Sequence, residues 1–383
     1  MTPTPVTQNS FVIQKEQNQN MIEYEDLYKS NKPFIEDYRR AFDGVLESGW
    51  FILGANVREF EKKFAAYCQS AYCVGVASGL DALNLSLACL DLPRGSEVLV
   101  PSNTYIATIL SIAHLGYKPI LVEPDIRTYN IDPTKIEEKI TPQSKAIMLV
   151  HLYGKCCQMD KIQALADHYN LAIIEDVAQA QGAQFRGKTA GSFGAFGAHS
   201  FYPTKNLGAL GDSGALTTDN ENYAKRLRRL RNYGSDVKYQ NEEVGFNSRL
   251  HEVQAAMLRI KLTHLDKITQ HKRDLAALYT ENLGEQFIKP VVDADFYDVY
   301  HIYNIRHKKR DALKAYLLEN GVKTEIHYPI APNKQKAMRG IIDHFDTPIA
   351  EEIHQTTLSL PISFGTTAAE VLQVCDIINR FDL

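Results

Sequence analysis

The stretch from Glu175 to Gly214, EDVAQAQGAQFRGKTAGSFGAFGAHSFYPTKNLGALGDSG, concentrates side chains able to do chemistry. The apolar run Leu171–Ile174 leads into Glu175-Asp176, which sets a carboxylate at the C-terminal end of a strand, where open α/β sheets bind ligands. Further on, Ala195–Phe201 reads as a strand that feeds Ser200, Tyr202 and Pro203 into the turn Lys205-Asn206-Leu207-Gly208, so Lys205 stands on a loop just past a strand end. An amine so placed can capture an aldehyde as an imine. A fixed carboxylate such as Asp176 can keep a ring nitrogen protonated, and these are the two requirements of pyridoxal phosphate working as an electron sink. Alone, each residue has an ordinary reading as a solvent-facing lysine or a capping carboxylate; together they favour chemistry.

A phosphate needs its own cradle. Ala77-Ser78-Gly79-Leu80-Asp81-Ala82-Leu83 supplies a strand, a glycine turn and a helix start, whose free N–H groups suit a dianion. The same arrangement also occurs for packing alone. Tyr105, in Ser102-Asn103-Thr104-Tyr105-Ile106-Ala107-Thr108, follows another predicted strand and offers a ring to stack on a flat heterocycle, or else a core or surface tyrosine.

These positions require a scaffold that lines up strand ends. Short apolar runs alternate with helical patterns: strands are predicted at Tyr72–Ala77, Glu97–Val100, Pro119–Val122, Ala146–His151, Leu171–Glu175, Ala195–Phe201 and Gly214–Thr218, with helices at Leu80–Leu90, Ile106–Leu115 and Lys161–Tyr169 among them. That order predicts a mainly parallel, seven-stranded α/β sheet. After Gly245, Leu250–Leu283 reads as one long helix with Leu258, Leu262, Leu265 and Ile268 as its apolar stripe. Val299–Arg306 as a strand, Lys309–Leu318 as a helix ended by Gly321, and Ala368–Phe381 as a last helix predict a smaller α+β domain, with a helical Glu25–Leu46 packed near it. The expected division is a disordered extension over residues 1–20, a large domain over 21–265 and a small one over 266–383.

Composition narrows the classes further. The 383 residues are 44% hydrophobic and 23% charged, a globular balance, with a formal charge of −4. The basic run Arg226, Arg228, Arg229 and Arg231 sits in a helical stretch and reads as a solvated face, so nucleic acid is not an expected partner. No apolar run approaches the roughly 20 residues needed to cross a bilayer. The six cysteines lack CxxC spacing and point to a reducing cytoplasm, and no metal site is expected.

The segments SGLDAL, NTYIAT, EDVAQAQGA, SFYPTKNLGALGDSG and GFNSRLHEVQAA, in this order, resemble the sugar-nucleotide aminotransferases of the DegT/DnrJ/EryC1/StrS family. The resemblance runs from about Met21 to the C-terminus and implies the aspartate-aminotransferase-like fold, fold type I, in a homodimer with active sites at the interface. It implies Lys205 as the Schiff-base lysine, Asp176 as the partner of the pyridine nitrogen, Gln179 beside the ring and Tyr105 stacked on it. Ser200, Gly79 and Leu80 match phosphate-binding positions, and Asn247 an asparagine that reaches the phosphate from the neighbouring subunit. Some family members carry histidine at the lysine position and are dehydratases; Lys205 favours transamination, with L-glutamate as donor and pyridoxamine phosphate as the intermediate form.

HLYG at His151–Gly154 and FYPTKNLGALGD at Phe201–Asp212 are similar to enzymes that aminate carbon 3 of dTDP-linked 3-keto-6-deoxyhexoses, from which the chain departs at Thr204, Ala331 and Asn333. In that group Tyr202, His327 and Tyr328 line the sugar pocket, and Lys238 is a candidate for the pyrophosphate. The alternatives are amination at carbon 4 of a 4-keto sugar nucleotide, a dehydratase of the same fold, and a non-catalytic cofactor-binding regulator.

Overall fold

The computed structural model describes residues 21–381; the expected extension over residues 1–20 lies outside the described residues. Twelve strands occur among them: β1 Tyr72–Val76, β2 Glu97–Pro101, β3 Lys118–Val122, β4 Ser144–Val150, β5 Ala172–Asp176, β6 Gln184–Phe185, β7 Lys188–Thr189, β8 Phe196–Ser200, β9 Gly214–Thr218, β10 Phe296–Tyr297, β11 Tyr303–Arg306 and β12 Thr357–Leu360. Seven of them form one sheet in the order β1-β9-β8-β5-β4-β2-β3. Only β9 runs against its neighbours, pairing antiparallel with both β1 and β8. The seven predicted strands are these seven, within a residue or two at each end.

The continuous apolar runs follow from burial on both faces. Val98, Val100, Ala146, Met148 and Ile174 enter one core with the helices Gly79–Leu90, Ile106–His114 and Glu221–Leu230. Their alternates Leu99, Ile147, Leu149 and Ile173 enter another with the helix Met159–Tyr169, whose Met159, Ile162 and Ala166 recur at helical spacing. Helices thus cover both faces, giving three layers. A third core joins Ile22, Leu275, Tyr279, Tyr303, Leu313, Leu358 and Val374, and contains the β11–β12 pair.

Several expectations change. The single helix over Leu250–Leu283 is two, Glu252–Leu262 and Leu265–Asn282. The Thr263 hydroxyl donates to the Ile260 carbonyl at 2.7 Å, the N–H groups of Thr263 and His264 close tight turns onto Ile260 and Lys261, and the His264 ring packs 5.2 Å from Phe34. The helical Glu25–Leu46 resolves into Leu27–Asn31, a 3₁₀ turn Lys32–Phe34 containing Pro33, and Ile35–Ser48 closed by Gly49 at φ +60°. Its first part does pack against the C-terminal region, through Phe34 on Phe364 and Lys29 on Glu370. Of Val299–Arg306 only Tyr303–Arg306 is strand; Val299 and Ile302 instead bond the backbone of Gly154 and Tyr153. The last helix ends at Ile378. The arginine run is not solvated throughout: Arg226 and Arg229 pair with Glu243, and Arg231 is buried against Glu61 and the Gly75 carbonyl.

Candidate active site

Along β5 the side chains alternate, so Glu175 and Asp176 face opposite sides of the sheet. Asp176, the last residue of the strand, accepts hydrogen bonds from Thr108 Oγ1 at 2.9 Å and from the Ala178 N–H at 3.1 Å. Burial pushes its carboxyl above the usual range, against these two bonds and the opposing charge of Lys205.

Lys205 follows β8, the parallel neighbour of β5. Its N–H donates to the Tyr202 carbonyl at 2.8 Å, and the turn closes on Gly208, where a Cβ would stand 2.3 Å from the Pro203 carbonyl oxygen. Glycine is the residue that fits there. Burial pushes the Lys205 amine down to about 8, with Asp176 opposing. The same burial favours the unprotonated amine, the form that attacks a carbonyl.

The helix Gly79–Leu90 begins directly after β1, with Ser78 Oγ accepting from the Asp81 N–H at 3.1 Å. A Cβ on Gly79 would lie 2.5 Å from that of Ser200, so the absence of a side chain lets the end of β8 touch the helix start. Asp176, Lys205, Ser78, Gly79, Leu80 and Ser200 line one cavity of about 530 Å³, which also takes in Tyr105, Gln179, Tyr202, His327 and Tyr328. Gln179 Nε2 donates to the Tyr328 hydroxyl at 2.9 Å, its Oε1 accepts from the Tyr153 N–H at 2.7 Å, and the Tyr105 and Tyr328 rings stand 5.2 Å apart. Tyr105 and Tyr202 are about half exposed at the rim. His327 bonds Ser359 Oγ at 2.9 Å, and burial, with the Lys205 charge next, pushes its imidazole down to about 4.

Ten of the twelve predicted site residues meet in this cavity. Asn247 and Lys238 do not: both are exposed, and Lys238 lies 5.0 Å over the Tyr239 ring. The sequence reading missed Thr108 and His301. Thr108 lies one helical turn beyond Tyr105, a spacing that could have placed it on the same face; His301 sits in irregular chain and gives no such signal.

A carboxylate and a desolvated amine in one cavity, beside a glycine helix start closed against a serine, are the donor set that pyridoxal phosphate requires. With the seven-stranded sheet they define a pyridoxal-phosphate enzyme of fold type I. The chain belongs to the DegT/DnrJ/EryC1/StrS aminotransferase family, whose model matches residues 34–379, and it is a pyridoxal-phosphate-dependent sugar-nucleotide aminotransferase. It is 52% identical over 362 residues, 94% of this chain and 99% of the relative, to the dTDP-3-amino-3,6-dideoxy-alpha-D-galactopyranose transaminase of Aneurinibacillus thermoaerophilus. It is 41% identical to the dTDP-3-amino-3,4,6-trideoxy-alpha-D-glucose transaminase of Streptomyces venezuelae, over 93% of this chain and 95% of the relative. The crystal structure of S. venezuelae DesV in complex with a ketimine intermediate superposes with a TM-score of 0.93 at 40% identity, covering 95% of this chain and 99% of that one. No helix among the described residues is long and apolar enough to cross a membrane.

Proposed function

We propose that the chain transfers the amino group of L-glutamate to carbon 3 of a dTDP-linked 3-keto-6-deoxyhexose of gluco or galacto configuration. The observation that carries this reading is the desolvated Lys205 amine in one cavity with Asp176, under a rim of Tyr202, His327 and Tyr328. The acceptor is supported by the two relatives named above, both transaminases of dTDP-3-amino sugars.

Pyridoxal phosphate, when bound, supplies the electron sink that makes a carbon next to nitrogen acidic. In this reading Asp176 holds the ring nitrogen, Tyr105 covers the ring, Gln179 borders it, and Ser200 with the N–H groups of Gly79 and Leu80 takes the phosphate. Lys205 holds the aldehyde and, once released, moves the proton at Nζ from the donor carbon in the first half-reaction and toward the sugar carbon in the second, giving ping-pong kinetics. Tyr202, His327 and Tyr328 orient the sugar.

Asn247 and Lys238, both exposed and outside the lining of their own chain's cavity, serve a neighbouring subunit's phosphate and the nucleotide pyrophosphate in a homodimer. The separate core around Leu275 and Val374 supports a small domain over 266–383 beside a cofactor-binding domain over 21–265. Six buried free cysteines fit a reducing cytoplasm.

The test offers purified protein L-glutamate and then dTDP-3-keto-6-deoxyglucose, dTDP-3-keto-6-deoxygalactose or the 4-keto isomer. A cofactor colour change with glutamate followed by amination of a 3-keto sugar is expected. Turnover of the 4-keto isomer alone would overturn the carbon-3 reading, and ketone formation with loss of a hydroxyl would make the protein a dehydratase.

A further inference from the structure

His301 lies 96 residues from Lys205 in sequence, yet its Nε2 stands 3.4 Å from Lys205 Nζ, at the outer edge of hydrogen-bond range. Its other ring nitrogen, Nδ1, is buried and has no hydrogen-bond partner among the described residues. The backbone at His301 is held from behind. Lys272, buried on the helix Leu265–Asn282, donates to the His301 carbonyl at 3.1 Å and to Asn206 Oδ1 at 2.9 Å, so one ammonium ties the residue after Lys205 to the residue facing it. Asn206 returns a bond to the Val299 carbonyl at 3.0 Å, and Gly154 brings its Cα so close that a Cβ would fall 2.8 Å from the His301 N–H.

We propose that His301 is a further residue of the reaction, a neutral imidazole that holds and orients the Lys205 amine, and that Lys272 is the positioning residue for both. The proposal rests on the reading of Lys205 as the reacting amine. The charged and titratable groups around the ring are Lys205, Lys272 and His327; Asp176 faces Lys205, and Glu25 and Lys261 face Lys272. An imidazolium here would be a further buried cation beside two lysines, so the ring stays neutral. With Nε2 unprotonated it accepts a hydrogen bond from Lys205 as ammonium; in the other tautomer it donates to the free amine. The proton that Lys205 takes from a substrate carbon accordingly stays on Nζ until it is returned, and His301 keeps its own.

The two neighbours act on the Lys205 ammonium with opposite sign. His301 accepts from it and stabilises it; Lys272 repels it. The experiment measures the pH dependence of Lys205 acylation by an amine-reactive reagent in apoprotein, read at that residue by mass spectrometry, for wild type, His301→Phe, His301→Gln and Lys272→Met. The midpoint should fall by about one pH unit in His301→Phe and rise in Lys272→Met. With holoenzyme, the primary isotope effect from an α-deuterated donor should increase in His301→Phe while KM stays within about twofold, because proton transfer has become slower. His301→Gln keeps a hydrogen-bonding group and should lie between wild type and His301→Phe; it carries the test if the phenylalanine variant does not fold. Midpoints that stay put, or that move in the same direction in both folded variants, overturn the proposal. Borohydride trapping of wild type keeps the two readings apart: cofactor fixed elsewhere than Lys205 sinks the underlying reading, whereas cofactor fixed on Lys205 with unmoved midpoints sinks this one alone.

Discussion

Glu175 and Asp176 are neighbours on one strand, both buried, and they end in opposite circumstances. The Glu175 carboxylate is closed in: Oε1 accepts from the N–H groups of Phe193 and Gly194 at 2.7 Å each, and Oε2 from the Gly191 N–H at 2.7 Å and His151 Nε2 at 2.9 Å. His151 Nδ1 accepts the Cys157 N–H at 3.0 Å, so the ring proton sits on Nε2 and points at Glu175. Asp176 has two donors and faces a cavity shared with an amine. The difference teaches that a buried charge whose hydrogen-bonding capacity is used up belongs to the fold, while one left partly open to a cavity is held ready for a ligand. The chain toward β8 folds around the first, and the proposed reaction uses the second.

Substitutions can break or sharpen this contrast. The largest effect is expected for Lys205→Gln, which removes the amine proposed to bind the aldehyde and move the proton: amination should fall about 10⁴-fold or more, roughly 5.5 kcal/mol in barrier, with folding retained. Residual turnover within tenfold of wild type would place the reacting amine elsewhere. Next comes Glu175→Ala. It strands four donors in the interior and should cost about 3–5 kcal/mol of stability, read as a lower midpoint in urea unfolding of the apoprotein. A loss under about 1 kcal/mol would show that water reaches that site and would dissolve the contrast. Asp176→Asn, isosteric and on the open side, should reverse the pattern, with unfolding nearly unaltered and kcat lowered about 10²–10³-fold, or some 3–4 kcal/mol. A stability loss matching that of Glu175→Ala would put both carboxylates in one class.

The half of this contrast that carries chemistry was legible in the sequence, and the half that carries structure largely was not. Parallel strands buried on both faces must be written as unbroken apolar runs, so the last residues of Leu171–Glu175 and Ala195–Phe201 could be placed at a ligand-binding edge before any geometry was known. Glu175 was read there only as the companion of Asp176, because its partners, His151 and the loop at Gly191–Gly194, are brought in by tertiary contacts. The helix Ala55–Tyr67 was missed for the same reason. Its start carries no side-chain cap of its own and is capped by Glu252, 198 residues from Gly54, which accepts the N–H groups of Gly54, Asn56 and Val57. His301 and Lys272 meet Lys205 and Asn206 only once β11 and the helix Leu265–Asn282 have docked. Local pattern locates what the chain does at its own strand ends; it is silent on groups recruited from elsewhere.

The smallest effect concerns the cationic cluster behind Lys205, where Lys261 is 4% exposed and burial pushes its amine down to about 8, with Glu25 as the opposing charge. In the unfolded chain that amine titrates near 10.4. Between about pH 8 and 10.4 the unfolded state therefore binds a proton that the folded state does not, and stability rises with pH. The contribution is fully present above the unfolded value and is lost as pH falls toward 8. One lysine accounts for at most about 1.4 kcal/mol per pH unit of that slope. Lys261→Met should flatten the pH dependence of apoprotein unfolding by up to this amount between pH 8 and 10, while Glu175→Ala lowers stability across the same window without changing the slope. An unchanged slope in Lys261→Met would mean that its amine is as well solvated folded as unfolded.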